Sequence, residues 1–111
     1  MSEYLIPSCD ELSSIFGCDC WIDENHIQTI KFLDESNHEL SLHMGHVDDS
    51  VRIILIHDST TVNDIYMEKL EYFCWDENEQ TIKMVFNNSY KITIEIKLWS
   101  KFLITISGMI T

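Results

Sequence analysis

Near the end of the chain, Ile92, Ile94, Ile96 and Leu98 alternate with Lys91, Thr93, Glu95 and Lys97. A two-residue period puts every apolar side chain on one face of a strand and scatters them around a helix. The segment therefore reads as one strand of a sheet with a dry face and a wet face, the usual condition of antiparallel sheets. The preceding segment repeats the pattern, Ile82, Met84 and Phe86 standing against Thr81, Lys83 and Val85. Between them Asn87-Asn88-Ser89 is turn chemistry that tolerates positive φ. The two segments predict a hairpin.

Similar short runs of Ile, Val, Phe, Tyr and Thr, broken by Asp, Asn, Ser and Gly, continue backwards to residue 26. They place strands at 26–34, 38–44, 51–57, 66–75, 80–87, 90–98 and 102–110. The 61–75 stretch also carries a helical stripe, Val62, Ile65, Tyr66, Lys69, Leu70 and Phe73, behind a possible cap at Thr61. The aromatic run Tyr72-Phe73-Cys74-Trp75 favours strand from Tyr66 onward, with a helix as the alternative. Ahead of the strands, residues 8–17 read as one short helix. Ser8 caps it, Glu11 closes the capping box and Gly17 supplies the stop. The expected class is α+β, mainly β: a short N-terminal helix followed by a largely antiparallel sheet, closed as a meander, a sandwich or a half-barrel.

A chain of 111 residues, 45% of them hydrophobic, is long enough for one buried core and too short for two, so residues 1–111 are expected to form a single domain. With three Gly and one Pro there is no linker composition. The opening Met-Ser-Glu-Tyr-Leu-Ile-Pro has no basic region leading into an apolar core, and no later apolar run is long enough to span a bilayer. The cytoplasm is the expected compartment. Cys9, Cys18, Cys20 and Cys74 then read as free thiols.

The folding pattern leaves a strong charge bias to explain: 19 Asp and Glu against 7 Lys and Arg, a net charge of −12. Such a surface repels nucleic acid and anionic lipid, which leaves a cationic protein, a cation or no partner at all. The carboxylates gather where the apolar pattern breaks. In a simple meander the entry at Asp23-Glu24, the turn at Asp48-Asp49 and the turn at Asp76, Glu77 and Glu79 fall at one end of the sheet, with Trp21, Trp75 and Trp99. An acidic rim around aromatic anchors suits a cationic partner, since Trp often dominates binding energy and carboxylates steer encounter. The candidate partner-binding residues are Trp21, Asp23, Glu24, Asp48, Asp49, Trp75, Asp76, Glu77 and Glu79.

Catalytic and metal readings find less support. Cys18, Cys20 and His26, with Cys9 or Cys74, are zinc-ligand types, yet a single Cys-x-Cys lacks the second knuckle of a zinc ribbon or finger. His38, His43 and His46 near Asp48 form a second group, but His38 and His43 point to opposite faces of one strand. His57-Asp58-Ser59 lists triad residue types that adjacent positions cannot assemble into a triad. Phosphate-loop, calcium-loop and metalloprotease motifs are absent. No enzymatic activity, cofactor or metal is expected.

Small size, acidity, an opening helix at 8–17 and a strand-rich body ending in residues 90–111 resemble the immunity proteins of contact-dependent growth inhibition and related polymorphic toxin systems. The resemblance implies a non-enzymatic inhibitor in the bacterial cytoplasm, binding a cognate basic toxin domain, often a nuclease. It would occlude the toxin's active site or nucleic-acid surface without touching nucleic acid or membrane itself. It fixes no oligomeric state. Two alternatives carry the same composition: a nucleic-acid mimic that inhibits a host nuclease, and a small metal-binding or enzymatic module.

Overall fold

The computed structural model describes residues 6–99 and 101–110, without the side chains of 109 and 110. The opening residues 1–5, read above for a targeting signal, lie outside the described residues.

The chain opens with α1 (Cys9–Phe16), fixed at both ends by its sequence. Ser8 Oγ accepts the Glu11 N–H at 3.2 Å and Glu11 Oε1 accepts the Ser8 N–H at 3.1 Å, completing the capping box. Gly17 adopts φ 65° and its N–H donates to the Ser13 carbonyl at 2.8 Å, ending the helix where a side chain would be strained. The single fully buried side chain of the helix, Leu12, enters the core.

Strands follow: β1 (Asp19–Ile22), β2 (Ile27–Leu33), β3 (His38–Gly45), β4 (Ser50–His57), β5 (Thr60–Met67), β6 (Leu70–Asp76), β7 (Thr81–Asn87), β8 (Tyr90–Lys97) and β9 (Leu103–Ile110). They form two antiparallel sheets, the first ordered β1-β2-β3-β4-β5 and the second β6-β7-β8-β9. This settles the open choice of closure as two sheets sharing one core. The expected 80–87 and 90–98 hairpin is β7-β8, with Met84 opposite Ile94 and Ile82 opposite Ile96.

Two strand assignments change. The seven expected strands become nine among the described residues, because β1 is an additional short strand and the 61–75 region is neither one strand nor a helix. It is two strands, β5 and β6, broken at Glu68-Lys69. Lys69 takes the left-handed conformation, φ 63°, which ends the extended run that the aromatic residues seemed to continue. The chain changes sheets there. A strand of eight residues can follow a helical stripe by chance, and β5, a largely exposed edge strand, turns only Ile65 and Met67 partly into the core, too few to impose a full alternation.

The core lies between the sheets. Ile30, Leu42 and Ile53 stand directly opposite one another across β2, β3 and β4, and meet Ile82, Met84, Phe86, Ile94 and Ile96 of the second sheet. Each fully buried side chain of this size contributes about 1.5–3 kcal/mol. Phe16 and Phe102 meet Phe32 edge to face at 6.0 and 6.5 Å, tying the helix and the residue that leads into β9 to β2.

Candidate functional site

With alternate residues of the first sheet committed to the core, the others form an outward face. Across it Trp21, Thr29, His43, Arg52 and Tyr66 lie in one cross-strand row. Thr29 Oγ1 and His43 Nδ1 are 3.1 Å apart. Arg52 grips Asp64 with both ends of its fork, Nε to Oδ1 at 2.9 Å and Nη2 to Oδ2 at 2.7 Å. Partial burial, reinforced by the Arg52 charge and opposed by Asp64, holds His43 below the ordinary histidine range.

This row runs toward a first acidic end. Ile27 pairs with Gly45, and the His46 N–H donates to the His26 carbonyl at 3.1 Å, so the turns carrying Asp23-Glu24 and Asp48-Asp49 are neighbours. Asp23 Oδ1 accepts the backbone N–H groups of Asn25 and Ile27 at 2.8 and 3.1 Å, and Asp48 Oδ1 accepts the Ser50 hydroxyl at 2.7 Å. The Tyr66 hydroxyl bonds Glu68 at 3.0 Å. That bond pushes its pKa up; a bond with Ser50 opposes the shift, while the charges of Glu68 and Asp48 add to it. Five candidate residues are thus brought together: Trp21, Asp23, Glu24, Asp48 and Asp49.

The remaining four do not join them. The extra strand β5 reverses the parity of the turns, so β6 starts beside Asp49 and carries Trp75, Asp76, Glu77 and Glu79 away, roughly 20 Å along a seven-residue strand. They form a second acidic end. Asp76 Oδ1 accepts the Glu79 N–H at 3.1 Å to shape the turn. Glu79, Lys97 and Trp99 border one depression, and Trp99, Leu33, Asp34 and Glu35 border the next, so the β2-β3 turn belongs to this end. Behind Trp75 a cavity of about 350 Å³ is lined by Asp76, Lys83, Glu95 and Lys97. The expected convergence of three acidic turns is therefore replaced by two separate ends. Trp21, Trp75 and Trp99 are 47, 38 and 77% exposed, which places all three on the surface rather than in the core.

The cysteines also depart from expectation. Cys9 of α1 and Cys20 of β1 form a disulfide, with Cα atoms 5.2 Å apart, while Cys18 and Cys74 are free. The bond takes Cys20 out of the zinc-type set considered with Cys18 and His26. Burial pushes the Cys18 thiol up, away from reactivity. Nothing in the spacing of four cysteines specified this pair; the proximity arises because α1 folds back on β1. Gln28, buried beside the disulfide, donates to the Pro7 carbonyl at 3.0 Å and meets His46 Nε2 at 2.7 Å. His38 and His57, opposite each other on β3 and β4, stack at 4.1 Å. His57-Asp58-Ser59 runs into a turn in which Asp58 and Ser59 both have positive φ, not a triad. Arg52, Tyr66 and the His38-His57 pair escaped sequence reasoning because register alone assembles them.

No family model matches the chain. The Pasteurella multocida (strain Pm70) protein described as uncharacterized protein PM0492 is 34% identical over 103 residues, spanning 92% of this chain and 95% of the relative. Among solved structures, a chain of a contact-dependent growth inhibition toxin–immunity protein complex from Klebsiella pneumoniae 342 matches with a TM-score of 0.80. The match covers 93% of this chain and 95% of that one at 15% identity, which shows a shared fold. No described helix is long and apolar enough to cross a membrane.

Proposed function

The chain belongs to the family of the Pasteurella multocida protein PM0492, and we propose that it is an immunity protein that binds and neutralises a toxin of a contact-dependent growth inhibition system. The observation that carries this reading is the fold shared over 93% of its length with a chain of a toxin–immunity protein complex. The charge of −12 supports it and suggests the chemistry of the partner. A nuclease must offer Lys, Arg or His to the phosphates it cuts, and a rigid carboxylate surface can occupy that groove in place of nucleic acid. The toxin is accordingly a cationic domain, a nuclease in the sharpest form of the proposal. The inhibitor acts by occlusion, in the cytoplasm, without turnover.

The two acidic ends divide the work. The second end joins exposed Trp75 and Trp99 to Asp76, Glu77 and Glu79, and serves as the docking face. At the first end, Asp23, Glu24, Asp48 and Asp49 beside Trp21 supply long-range attraction and a flank. A standard interface of about 800 Å² per partner fits one end of a domain this size. The test is co-purification with the toxin domain encoded beside this gene, together with rescue of cells expressing it. A stable complex and restored growth are expected. A folded chain that neither binds nor protects would overturn the proposal.

A further inference from the structure

Each sheet ends in two edge strands that have a strand partner on one side only among the described residues: β1 and β5 in the first sheet, β6 and β9 in the second. Folded proteins guard such edges, because an open row of N–H and C=O groups is a template for pairing with another chain. Three of the four are guarded. β1 is only four residues long and carries Asp19. β5 carries Asp64 and pairs with β4 through a register shift at Leu55-Ile56. β6 carries Glu71 and Asp76 and has its own shift between Leu70 and Tyr72.

β9 has none of these devices. It runs for eight residues and pairs with β8 in unbroken register. Alone of the nine described strands, it holds no Asp, Glu, Lys or Arg. Leu103 and Ile106 are 55 and 52% exposed. Ile106 stands in one cross-strand row with Ile94, Met84 and Phe73, all buried, so the dry face of the second sheet reaches this edge and stops in the open.

Charge and sequence decide what fits there. A cationic partner is drawn to the acidic ends, whereas this edge offers it no carboxylate; β8 behind it carries Lys91, Glu95 and Lys97, two positive charges against one negative. A second copy of the chain, repelled elsewhere by its own net charge of −12, meets no repelling carboxylate on this strand.

We propose that β9 is a self-association edge, pairing antiparallel with β9 of a second copy to join two four-stranded sheets into one of eight. A two-fold axis at Ile106 sets that residue against Ile106 of the second copy, Thr105 against Ser107 and Ile104 against Gly108. Apolar side chains then continue one row across the axis, hydroxyl faces hydroxyl, and a large residue faces the smallest. The antiparallel arrangement sends the Trp75 and Asp76 ends of the two copies in opposite directions, so both acidic ends stay open and the pairing does not rest on the immunity reading. Strand pairing alone makes less than a standard interface, which sets dissociation in the roughly micromolar range.

The test is sedimentation equilibrium of the whole chain from about 1 μM to about 1 mM. A monomer–dimer equilibrium is expected. Ile106→Lys and Ile106→Glu, at a half-exposed position, each set like charges across the axis and should raise the dissociation constant roughly a hundredfold. Mixing the two variants sets opposite charges there and should restore association to within roughly tenfold of wild type. Val62→Lys, on the exposed β5 edge, should leave the constant unchanged. Hydrogen exchange of wild type gives a reading that needs no variant: the β9 amides that do not bond β8 should gain protection as concentration rises. A monomer throughout, a dimer indifferent to Ile106→Lys, loss of association in Val62→Lys, no recovery in the mixture, open-ended association, or β9 exchange that ignores concentration would each overturn the proposal. A chain that stays monomeric alone, while the toxin domain protects those same amides, would assign the edge to the toxin and remove the second copy as its occupant.

Discussion

The Leu70 N–H donates to the Asp49 carbonyl at 3.0 Å, so the first strand of the second sheet begins against the β3-β4 turn of the first. Between β5 and β6 stand only Glu68 and Lys69, and Lys69 makes the reversal at φ 63°. A β-branched residue pays the full steric penalty in that conformation, whereas glycine avoids it. Lys69→Val should lower unfolding free energy by about 1–2 kcal/mol, and Lys69→Gly should stay within about 0.5 kcal/mol of wild type. Urea denaturation measures both. Equal stability of the Val and Gly variants would show that the left-handed turn is not required.

The same turn explains what could be read in advance. The β7-β8 hairpin was legible because one face of each strand is buried, so sequence period and burial coincide: Ile82 and Met84 face Ile96 and Ile94. The helix was legible because its caps are local, Ser8 with Glu11 and Gly17 alone. β5 was not, since Val62 and Tyr66 are exposed and no burial imposes a period on them. That one missed strand moved Asp76 and Glu77 to the opposite end from Asp48 and Asp49. The membership of the acidic turns was visible in composition; their grouping depended on counting strands.

Phe86 is the largest fully buried side chain and lies opposite Leu70 and Ile92 in the centre of the second sheet. Truncation there removes transfer energy and leaves a cavity that close-packed neighbours fill only in part. Phe86→Ala should destabilise by about 3–5 kcal/mol, while Phe86→Leu should cost less. Exposed Leu33→Ala, by contrast, should change stability by less than about 0.5 kcal/mol. Equilibrium unfolding of the three variants checks the assignment of inside and outside.

The Cys9–Cys20 bond spans 11 residues and fastens α1 to the edge strand β1. Closing a loop of that length restricts the unfolded chain by about 2–3 kcal/mol. Adding reductant to oxidised wild type should lower the denaturation midpoint accordingly, and Cys9→Ser with Cys20→Ser should match the reduced protein and ignore reductant. Mass spectrometry of alkylated protein should find two labelled thiols, Cys18 and Cys74, before reduction. Four labelled thiols in fully oxidised, folded protein would exclude the bond. With the bond reduced, the helix relies on Leu12 and on the Gln28 bond to Pro7 instead.

His43 sets part of the pH response. Burial, with the Arg52 charge beside it, lowers its pKa in the folded chain, so the unfolded chain takes up the proton first as pH falls. The contribution is complete above the unfolded value, about 6.5, and is lost progressively as pH descends through the lower folded value. Asp34 has the same sign at more acidic pH. Its burial opposes ionisation, but the backbone donors of His38 and Ser36 and the His38 ring outweigh it and hold the carboxyl below the ordinary range. Melting temperature should fall from about pH 7 to pH 5, and His43→Gln should flatten that limb while leaving the steeper acid limb in place. An unchanged slope in His43→Gln would remove His43 from the account.

Charge reversal at the two ends should separate docking from steering. Asp76 and Glu77 stand at the proposed contact surface beside Trp75 and Trp99, where reversal places like charges against a cationic partner and disrupts packing at the anchors. Asp76→Lys with Glu77→Lys should therefore speed dissociation and weaken toxin binding at all salt concentrations, by roughly a hundredfold. Asp48 and Asp49 lie at the other end, roughly 20 Å away, beyond a Debye length of about 8 Å at physiological salt. Asp48→Lys with Asp49→Lys should mainly slow association, and only at low ionic strength. Stopped-flow binding across a salt series distinguishes them. If reversal at Asp48 and Asp49 instead raises the dissociation rate and reversal at Asp76 and Glu77 leaves it unchanged, the docking face is the Trp21 end of the first sheet.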